Sequence, residues 1–436
     1  MDFWFSISLL MLKTMFMAIL NPFFWLFVFI VLLQYRRLVL MEKKLFGQPI
    51  NNIWKQTFYS VLFGIIGGVF GSFFLLLLGI SFDSIGITYL WPVAILLLMV
   101  NPRFLCFAYA GGIIALASLA VKYLLPFWPE LENVAFLKGL TGIHLPSLLA
   151  LIGILHLTES FLIFISGHRG ASPIYLKSPS GELLGGYSMQ RFWPLPLMGL
   201  LGMVVAENSD IFVGGVSMPD WWPLLGSVMN PLGNEELVYL MVPLIAVLGY
   251  SDLAVSSFPR SKRIKTAGNL ALYSVLLSAL AIASVFSPLL VVPAALIAPL
   301  GHEFLIRKSN KDEFSRPPLF NADSSYGLQI IAVIPDSPAE KAGLQCGDRL
   351  VEVNNTRIDS EIDFWNILRM HYYRVIFKIS RRGREINLPV QIYPLPVSRL
   401  GVIFAPGRLA SANVYVELTN SSFLKNIWRR FSAGRS

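Results

Sequence analysis

Charged residues are scarce in this sequence. Asp, Glu, Lys and Arg make up 14% of its 436 residues, and hydrophobic residues make up 55%. A soluble domain carries about a quarter charged residues. The shortage of charge excludes an ordinary soluble protein and predicts an integral membrane protein.

Cysteine is also rare. The two cysteines, Cys106 and Cys346, lie far apart in the chain, the first in an apolar segment and the second in a polar one. Such a pair provides no disulfide framework. This is typical of a chain whose polar part lies in a reducing compartment.

The familiar catalytic signatures are missing. The sequence contains no Gly-x-Ser-x-Gly elbow, no Walker loop and no dinucleotide fingerprint. His302-Glu303 begins like the HExxH motif of a zinc protease, but Ile306 stands where the second histidine is required. We therefore expect no enzymatic activity, no cofactor and no nucleic-acid partner.

Four ionisable residues nevertheless lie in apolar segments: His156, Glu159, His302 and Glu303. Such residues are candidates for function by default, because charge is costly within a bilayer. His156 and Glu159 share a helix face. Two interpretations remain open, a metal site and a hydrogen-bonded clamp between two helices, and the sequence favours the clamp.

The apolar segments predict about eight to ten membrane-spanning helices, because a span needs about 20 apolar residues. Ten runs qualify, although Lys13 interrupts the first: near 3–20, 22–35, 57–80, 87–100, 104–125, 141–166, 192–206, 237–255, 270–286 and 288–306. The first 33 residues lack a basic n-region and a small-residue cleavage site, so we expect them to be retained.

The distribution of basic residues predicts the orientation. Segments 36–56, 167–191 and 256–269 contain several Lys and Arg residues, whereas 81–86 and 207–236 contain none. The positive-inside rule places the first group in the cytoplasm. Counting spans places the C-terminal part there too. Segment 171–191, with Ser-Gly turns between apolar residues, predicts a small hairpin on that face.

From Arg307 onward the composition changes, with 19 Lys and Arg against 12 Asp and Glu, a net +7 of the chain's +9. The predicted organisation is a membrane domain (1–306), a linker (307–324), a folded domain (325–404) and a C-terminal strand with a basic amphipathic tail (405–436). This tail lies on anionic lipid or packs on the folded domain.

The stretch "SPAEKAGLQCGDRLVEVNN" (337–355) lies within an order of strand, short helix, strand, helix and hairpin, and it resembles the PDZ fold. PDZ domains bind extended peptides by strand addition. The resemblance implies a peptide groove between the second helix and the strand in "SRLGVIFAP" (398–406), which replaces the usual carboxylate loop. Its residues would be Ile362, Trp365, Arg369, Leu400, Gly401, Val402 and Ile403. An ordinary closing strand without a groove is the alternative.

The whole chain, from "ILNPFFWLFVF" through "SPIYLKSPSGELLGGYSMQRFWPLPL" and "FVGGVSMPDWW" to the C-terminal domain, resembles the MinJ-like family. These proteins are PDZ-containing membrane adaptors of the bacterial Min division-site system. The resemblance implies a polytopic α-helical membrane protein of the cell membrane, with a cytoplasmic PDZ domain. It also implies location at septa and poles, and partners DivIVA and MinD. The alternatives are an intramembrane-protease-like protein and a transport or secretion component.

Overall fold

The computed structural model describes residues 3–177, 181–206, 216–226, 229, 235–321, 327–370, 373–392 and 400–406. The predicted amphipathic tail lies outside the described residues, because these end at residue 406.

The membrane domain is built mainly of long apolar helices. They are α1 (Phe3–Leu20), α2 (Pro22–Phe46), α3 (Ile53–Leu78), α4 (Ile87–Val100), α5 (Phe107–Leu124), the short α6 (Ala135–Thr141), α7 (Leu145–Ser166), α8 (Pro259–Phe286) and α9 (Val291–Phe314). Among the described residues six helices are long and apolar enough to cross a membrane, and α1 and α4 are shorter apolar helices. The prediction of a polytopic helical membrane protein is confirmed. The apolar runs 270–286 and 288–306 are separate helices as predicted, since a 3-10 turn at Pro288–Leu290 separates α8 from α9.

Two of the predicted helical spans are wrong. Residues 192–206 and 237–255 fall in two long strands, β2 (Leu183–Ala206) and β3 (Glu235–Ala254). An apolar run cannot distinguish a buried strand from a buried helix. Pro194 and Pro196 provided the missing signal, because two prolines in one turn break a helix. The two strands pair antiparallel, from Tyr187 opposite Ala254 to Ala206 opposite Glu235.

The predicted hairpin at the end of the membrane domain is present. Strand β1 (Ser172–Lys177) pairs antiparallel with the start of β2, from Ser172 opposite Ser188 to Lys177 opposite Leu183. Strand β4 (Phe320–Asn321) pairs with Leu184 and Gly185 of β2 on the opposite edge from β1, which β3 uses further along the strand. The result is one sheet in the order β1, β2, β3, in which β4 also pairs with β2.

Several positions on the edge of β2 that faces α3 have side-chain partners or lack an N–H group. Pro194 and Pro196 have no N–H group. Three other N–H groups on this edge donate to side chains: Phe192 to Tyr35 (3.2 Å), Met198 to Ser72 (3.0 Å) and Gly202 to Ser81 (3.1 Å). Within a bilayer, backbone polar groups have to be satisfied inside the protein. Tyr35 of α2, Ser72 of α3 and Ser81, which follows the end of α3, provide these partners.

Glycines let α3 lie directly against this edge. A Cβ at Gly64 would lie 2.1 Å from the carbonyl oxygen of Pro194, and one at Gly68 would lie 2.4 Å from that of Pro196. No other side chain fits between the two backbones at these positions. Small residues allow such close approach in membrane proteins generally.

The segment 307–324 differs from the predicted linker. Its first part is the end of α9, and Phe320–Asn321 is a strand. Glu313 is buried and accepts hydrogen bonds from the N–H groups of Val255 and Ser256. Lys262 forms an ion pair with it at 3.1 Å. These contacts hold the segment against the start of α8.

The C-terminal domain contains β5 (Leu328–Val333), α10 (Pro338–Lys341), β6 (Arg349–Val353), β7 (Thr356–Arg357), α11 (Glu361–Met370), β8 (Arg374–Arg381), β9 (Arg384–Gln391) and β10 (Val402–Phe404). The strand order is β10, β5, β6, β8, β9, with β7 beside β6. Asn354 and Asn355 both have positive φ, +48° and +64°, as the predicted tight turn requires. The predicted alternation of strands and two helices is therefore confirmed.

Candidate functional site: the C-terminal groove and an intramembrane cluster

The strand β10 and the helix α11 lie on the same side of the C-terminal domain. The aromatic rings of Phe404 and Phe364 meet edge to face, with centroids 4.9 Å apart. The loop before β10 is held in place because the carbonyl of Leu400 accepts from Ala339 N–H at 3.1 Å and that of Gly401 from Ile334 N–H at 2.8 Å. Gly401 has φ +82°, a conformation that favours glycine.

Apart from Gly401, the structure distributes the predicted groove residues over three environments. On α11, Ile362 is 68% exposed, Arg369 is exposed and Trp365 is half-buried. On the loop and strand, Leu400 and Val402 are buried in the core of the C-terminal domain. Ile403 packs instead with the core of the membrane domain. The exposed residues of α11 are therefore available to a ligand, whereas Ile403 is occupied.

Two tyrosines of the membrane-domain sheet bind the C-terminal domain directly. The hydroxyl of Tyr175 donates to the carbonyl oxygen of Phe404 at 2.8 Å, and the hydroxyl of Tyr187 donates to that of Ile331 at 2.6 Å. Burial raises the pKa of the Tyr175 phenol, and the nearby carboxylate of Glu361 raises it further. Both hydroxyls therefore stay protonated as donors. Tyr175 is a residue of the site that the groove motif does not reveal.

Among the described residues, the edge of β10 that Tyr175 contacts pairs with no strand. Its other edge is already paired, since Ala405 N–H donates to Gln329 at 2.8 Å and Ile403 lies opposite Ala332 in β5. An added peptide strand would pair with the backbone of Val402 and Phe404. Tyr175 holds one of the acceptor positions that such a strand would use.

A second group of polar residues lies among the helices of the membrane domain. Sγ of Cys106 lies 3.1 Å from Nε2 of His156 and 3.8 Å from Nε2 of His302. The two imidazole rings have centroids 5.0 Å apart. His156 and His302 thus come together as the sequence suggested. Cys106 joins them, and the sequence did not indicate this, because a single cysteine far away in the chain carries no motif.

The two glutamates do not belong to this group of ligand atoms. Glu303 accepts from Arg103 (2.8 Å), Tyr109 (2.7 Å) and Arg307 (2.6 Å). It therefore ties α9 to the beginning of α5, as a clamp. Glu159 is not among the residues whose ligand atoms converge with those of Cys106.

Comparison with known proteins connects these features. A family model for the PDZ domain matches residues 329–381. The chain is 25% identical over 402 residues, 90% of its length and 94% of the relative's, to the cell division topological determinant MinJ of Bacillus subtilis. The chain contains a PDZ domain and resembles MinJ along nearly its whole length. Both predicted resemblances are confirmed.

Proteases share only a part of the chain. A probable periplasmic serine endoprotease, DegP-like, of Hahella chejuensis is 35% identical over 112 residues, 25% of this chain and 23% of that protein. The serine endoprotease DegS of Haemophilus influenzae is 32% identical over 80 residues, 18% of this chain. The likeness to MinJ extends through the membrane domain as well as the PDZ domain, and the likeness to the proteases does not cover that length.

Proposed function

We propose that this protein is a non-enzymatic membrane scaffold that positions the cell-division machinery by recruiting cytoplasmic proteins through its PDZ domain. The observation that carries the proposal is the likeness to a cell division topological determinant over 90% of the chain, which includes both the membrane helices and the PDZ domain. Fold alone does not define function. The combination of a membrane domain and a peptide-binding module supports recruitment rather than catalysis.

The PDZ domain faces the cytoplasm in this proposal. Basic residues concentrate at the end of the membrane domain that carries the PDZ domain, including Arg36, Arg37, Arg260 and Arg263. Glu42 at the end of α2 contacts Ser172 of β1, and β1 in turn contacts the PDZ domain through Tyr175. The positive-inside rule assigns that end to the cytoplasm.

The groove between β10 and α11 takes the end of an extended peptide. The peptide adds to the open edge of β10, and the exposed side chains of Ile362 and Arg369 on α11 contact its side chains. Leu400 and Gly401 form the loop that receives its carboxylate, while Val402 and Trp365 form the wall. Ile403 remains on the docked face and stabilises the contact with the membrane domain.

The proposed partners are DivIVA and MinD, because the resemblance to the MinJ-like family implies them. The proposed site of action is the septa and poles. The test is a pair of fluorescent fusions in dividing cells of the source bacterium, one on this chain and one on its MinD homologue. We expect both at septa and poles. Uniform membrane fluorescence of this chain through the division cycle would contradict the proposal.

The groove is tested with Ile362→Lys, which places a charge on an exposed groove position. MinD fluorescence should leave the septa while the variant itself remains in the membrane. Ile376→Lys is the matched control, because Ile376 is 50% exposed on β8, a strand separated from β10 by β5 and β6. Equal MinD localisation in both variants would place recruitment outside the groove.

A further inference from the structure

We propose that Cys106, His156 and His302 bind a Zn²⁺ ion that joins three helices of the membrane domain. Cys106 immediately precedes α5, His156 lies in the middle of α7, and His302 lies in α9. Their three ligand atoms all lie within 4.8 Å of one another. A thiolate and two imidazoles are a common ligand set for zinc, with a fourth position left for water.

The distances fit the ion. With Zn–S about 2.3 Å and Zn–N about 2.0–2.1 Å, tetrahedral coordination places a sulfur and a nitrogen ligand about 3.6 Å apart. The two sulfur–nitrogen distances here are 3.1 and 3.8 Å, one below and one above that value. Side-chain rotations that shift these atoms by a few tenths of an ångström bring both sulfur–nitrogen pairs to that value.

The tautomer of His156 is the one that zinc requires. Its Nδ1 lies 2.8 Å from the carbonyl oxygen of Ile152, which can only accept a hydrogen bond. Nδ1 therefore carries the hydrogen, and Nε2 presents its lone pair to Cys106. A backbone carbonyl behind the distal nitrogen is a typical outer contact of zinc-binding histidines.

Without an ion the cluster is incompletely satisfied. The thiol of Cys106 has one hydrogen, which can satisfy only one of the two imidazole nitrogens that approach it. Nδ1 of His302 has no hydrogen-bond partner among the described residues, so Nε2 makes the polar contact of that ring. An ion in place of the thiol hydrogen binds all three atoms together.

The neighbouring polar groups are engaged elsewhere, which leaves the three ligands free for the ion. The hydroxyl of Tyr273 donates to the carbonyl of Ala298 at 2.6 Å, and that of Tyr109 donates to Glu303. The rings of both tyrosines lie edge-on to the histidines, Tyr273 against His156 at 5.6 Å and Tyr109 against His302 at 5.3 Å. They form an aromatic wall around the site.

The test uses the full chain purified in detergent, dialysed against buffered Zn²⁺ and then analysed for bound metal by mass spectrometry. We expect one zinc per chain. Replacement by Co²⁺ should give a thiolate-to-cobalt charge-transfer band and the intense visible bands of tetrahedral cobalt. No zinc above the level of a metal-free membrane protein, or no cobalt spectrum, would overturn the proposal.

Cys106→Ser should abolish the charge-transfer band, and His156→Gln and His302→Gln should each weaken zinc binding at least about tenfold. Cys346→Ser is the matched control, since Cys346 lies in the PDZ domain, and it should retain the full spectrum. A Cys106→Ser variant with the wild-type spectrum would refute the assignment of the ligands.

A further measurement needs only the wild-type chain, in case a variant fails to fold. Maleimide labelling of Cys106, followed by peptide mass spectrometry, should slow at least about tenfold when Zn²⁺ is added, because a metal-bound thiolate is protected. Labelling of Cys346 in the same molecules should not change. Equal labelling of Cys106 with and without Zn²⁺ would overturn the proposal.

Discussion

The hydroxyl of Tyr175, in the sheet of the membrane domain, donates to the carbonyl oxygen of Phe404 in the PDZ strand β10 at 2.8 Å. This contact joins the two parts of the protein at the edge where a peptide strand would add. A peptide strand added at this edge would compete with Tyr175 for that carbonyl oxygen.

Tyr175→Phe should loosen this edge. Removing one hydrogen bond costs about 0.5–1.5 kcal/mol, so we expect roughly two- to tenfold faster hydrogen exchange of the amides in residues 400–406, followed by mass spectrometry. Tyr123→Phe is the matched control, because Tyr123 is 64% exposed on α5. Unchanged exchange in Tyr175→Phe would mean that other contacts hold the strand.

Gly64→Ala should destabilise the membrane domain. The added Cβ would lie 2.1 Å from the carbonyl oxygen of Pro194, so α3 and β2 have to separate. Overpacking of this kind costs about 1–3 kcal/mol, and more when backbone blocks relaxation. A thermal unfolding midpoint in detergent, read by loss of the monodisperse gel-filtration peak, should fall.

Gly268→Ala provides the control for that change. Gly268 is also helical, in α8, but a Cβ there would meet nothing within 4 Å. Alanine favours a helix over glycine by about 1 kcal/mol, so the midpoint should stay or rise. Equal losses in the two variants would show that the approach of α3 to β2 is not the cause.

Glu303→Gln should weaken the clamp between α9 and the start of α5. The amide keeps the shape of the side chain but loses the charge that Arg103 and Arg307 contact at 2.8 and 2.6 Å. Hydrogen bonds to charged groups contribute about 1.5–3 kcal/mol, and exposure of the arginines reduces this. We expect a lower unfolding midpoint, and an unchanged midpoint for the exposed Glu130→Gln.

Acid should destabilise the chain through His168, which follows the end of α7. Burial, together with Arg263, Arg169 and other arginines, lowers the pKa of this imidazole from 6.5 to about 4. The unfolded state therefore binds more protons between these values, and stability contributed by neutral His168 is lost as the pH falls from 6.5 toward 4.

His168→Gln removes that titration. The unfolding midpoint of the variant should depend less steeply on pH between 6.5 and 4 than the wild-type midpoint, and the difference between the two proteins should stay constant above pH 7.5. Parallel midpoint-versus-pH curves across the acid range would contradict the role of His168.

Local patterns in the sequence were sufficient for much of this protein. The apolar length of α3 and α7 predicts membrane spans. Such a span is a helix, because in lipid its backbone groups have to form hydrogen bonds within the segment. The turns at Asn354-Asn355 and Gly383 predict the hairpins of the PDZ domain, because positive φ is available to few residues. These features depend on neighbouring residues and can be read without the fold.

The strands β2 and β3 could not be predicted in the same way. Their runs are as apolar as those of the helices, and the partners on the free edge of β2, Tyr35, Ser72 and Ser81, come from other elements. Those partners lie more than 110 residues away in the sequence. The prolines are a local sign against a helix, but they do not specify a sheet.

By itself the sequence determined a membrane protein with a PDZ domain, since composition, apolar length and turn residues act locally. Only the tertiary structure decided that Tyr175 reaches the groove strand and that Cys106, His156 and His302 meet. Both depend on packing between segments 50 to 230 residues apart. Distances between side chains are set by how helices and strands pack, and no spacing along the chain encodes them.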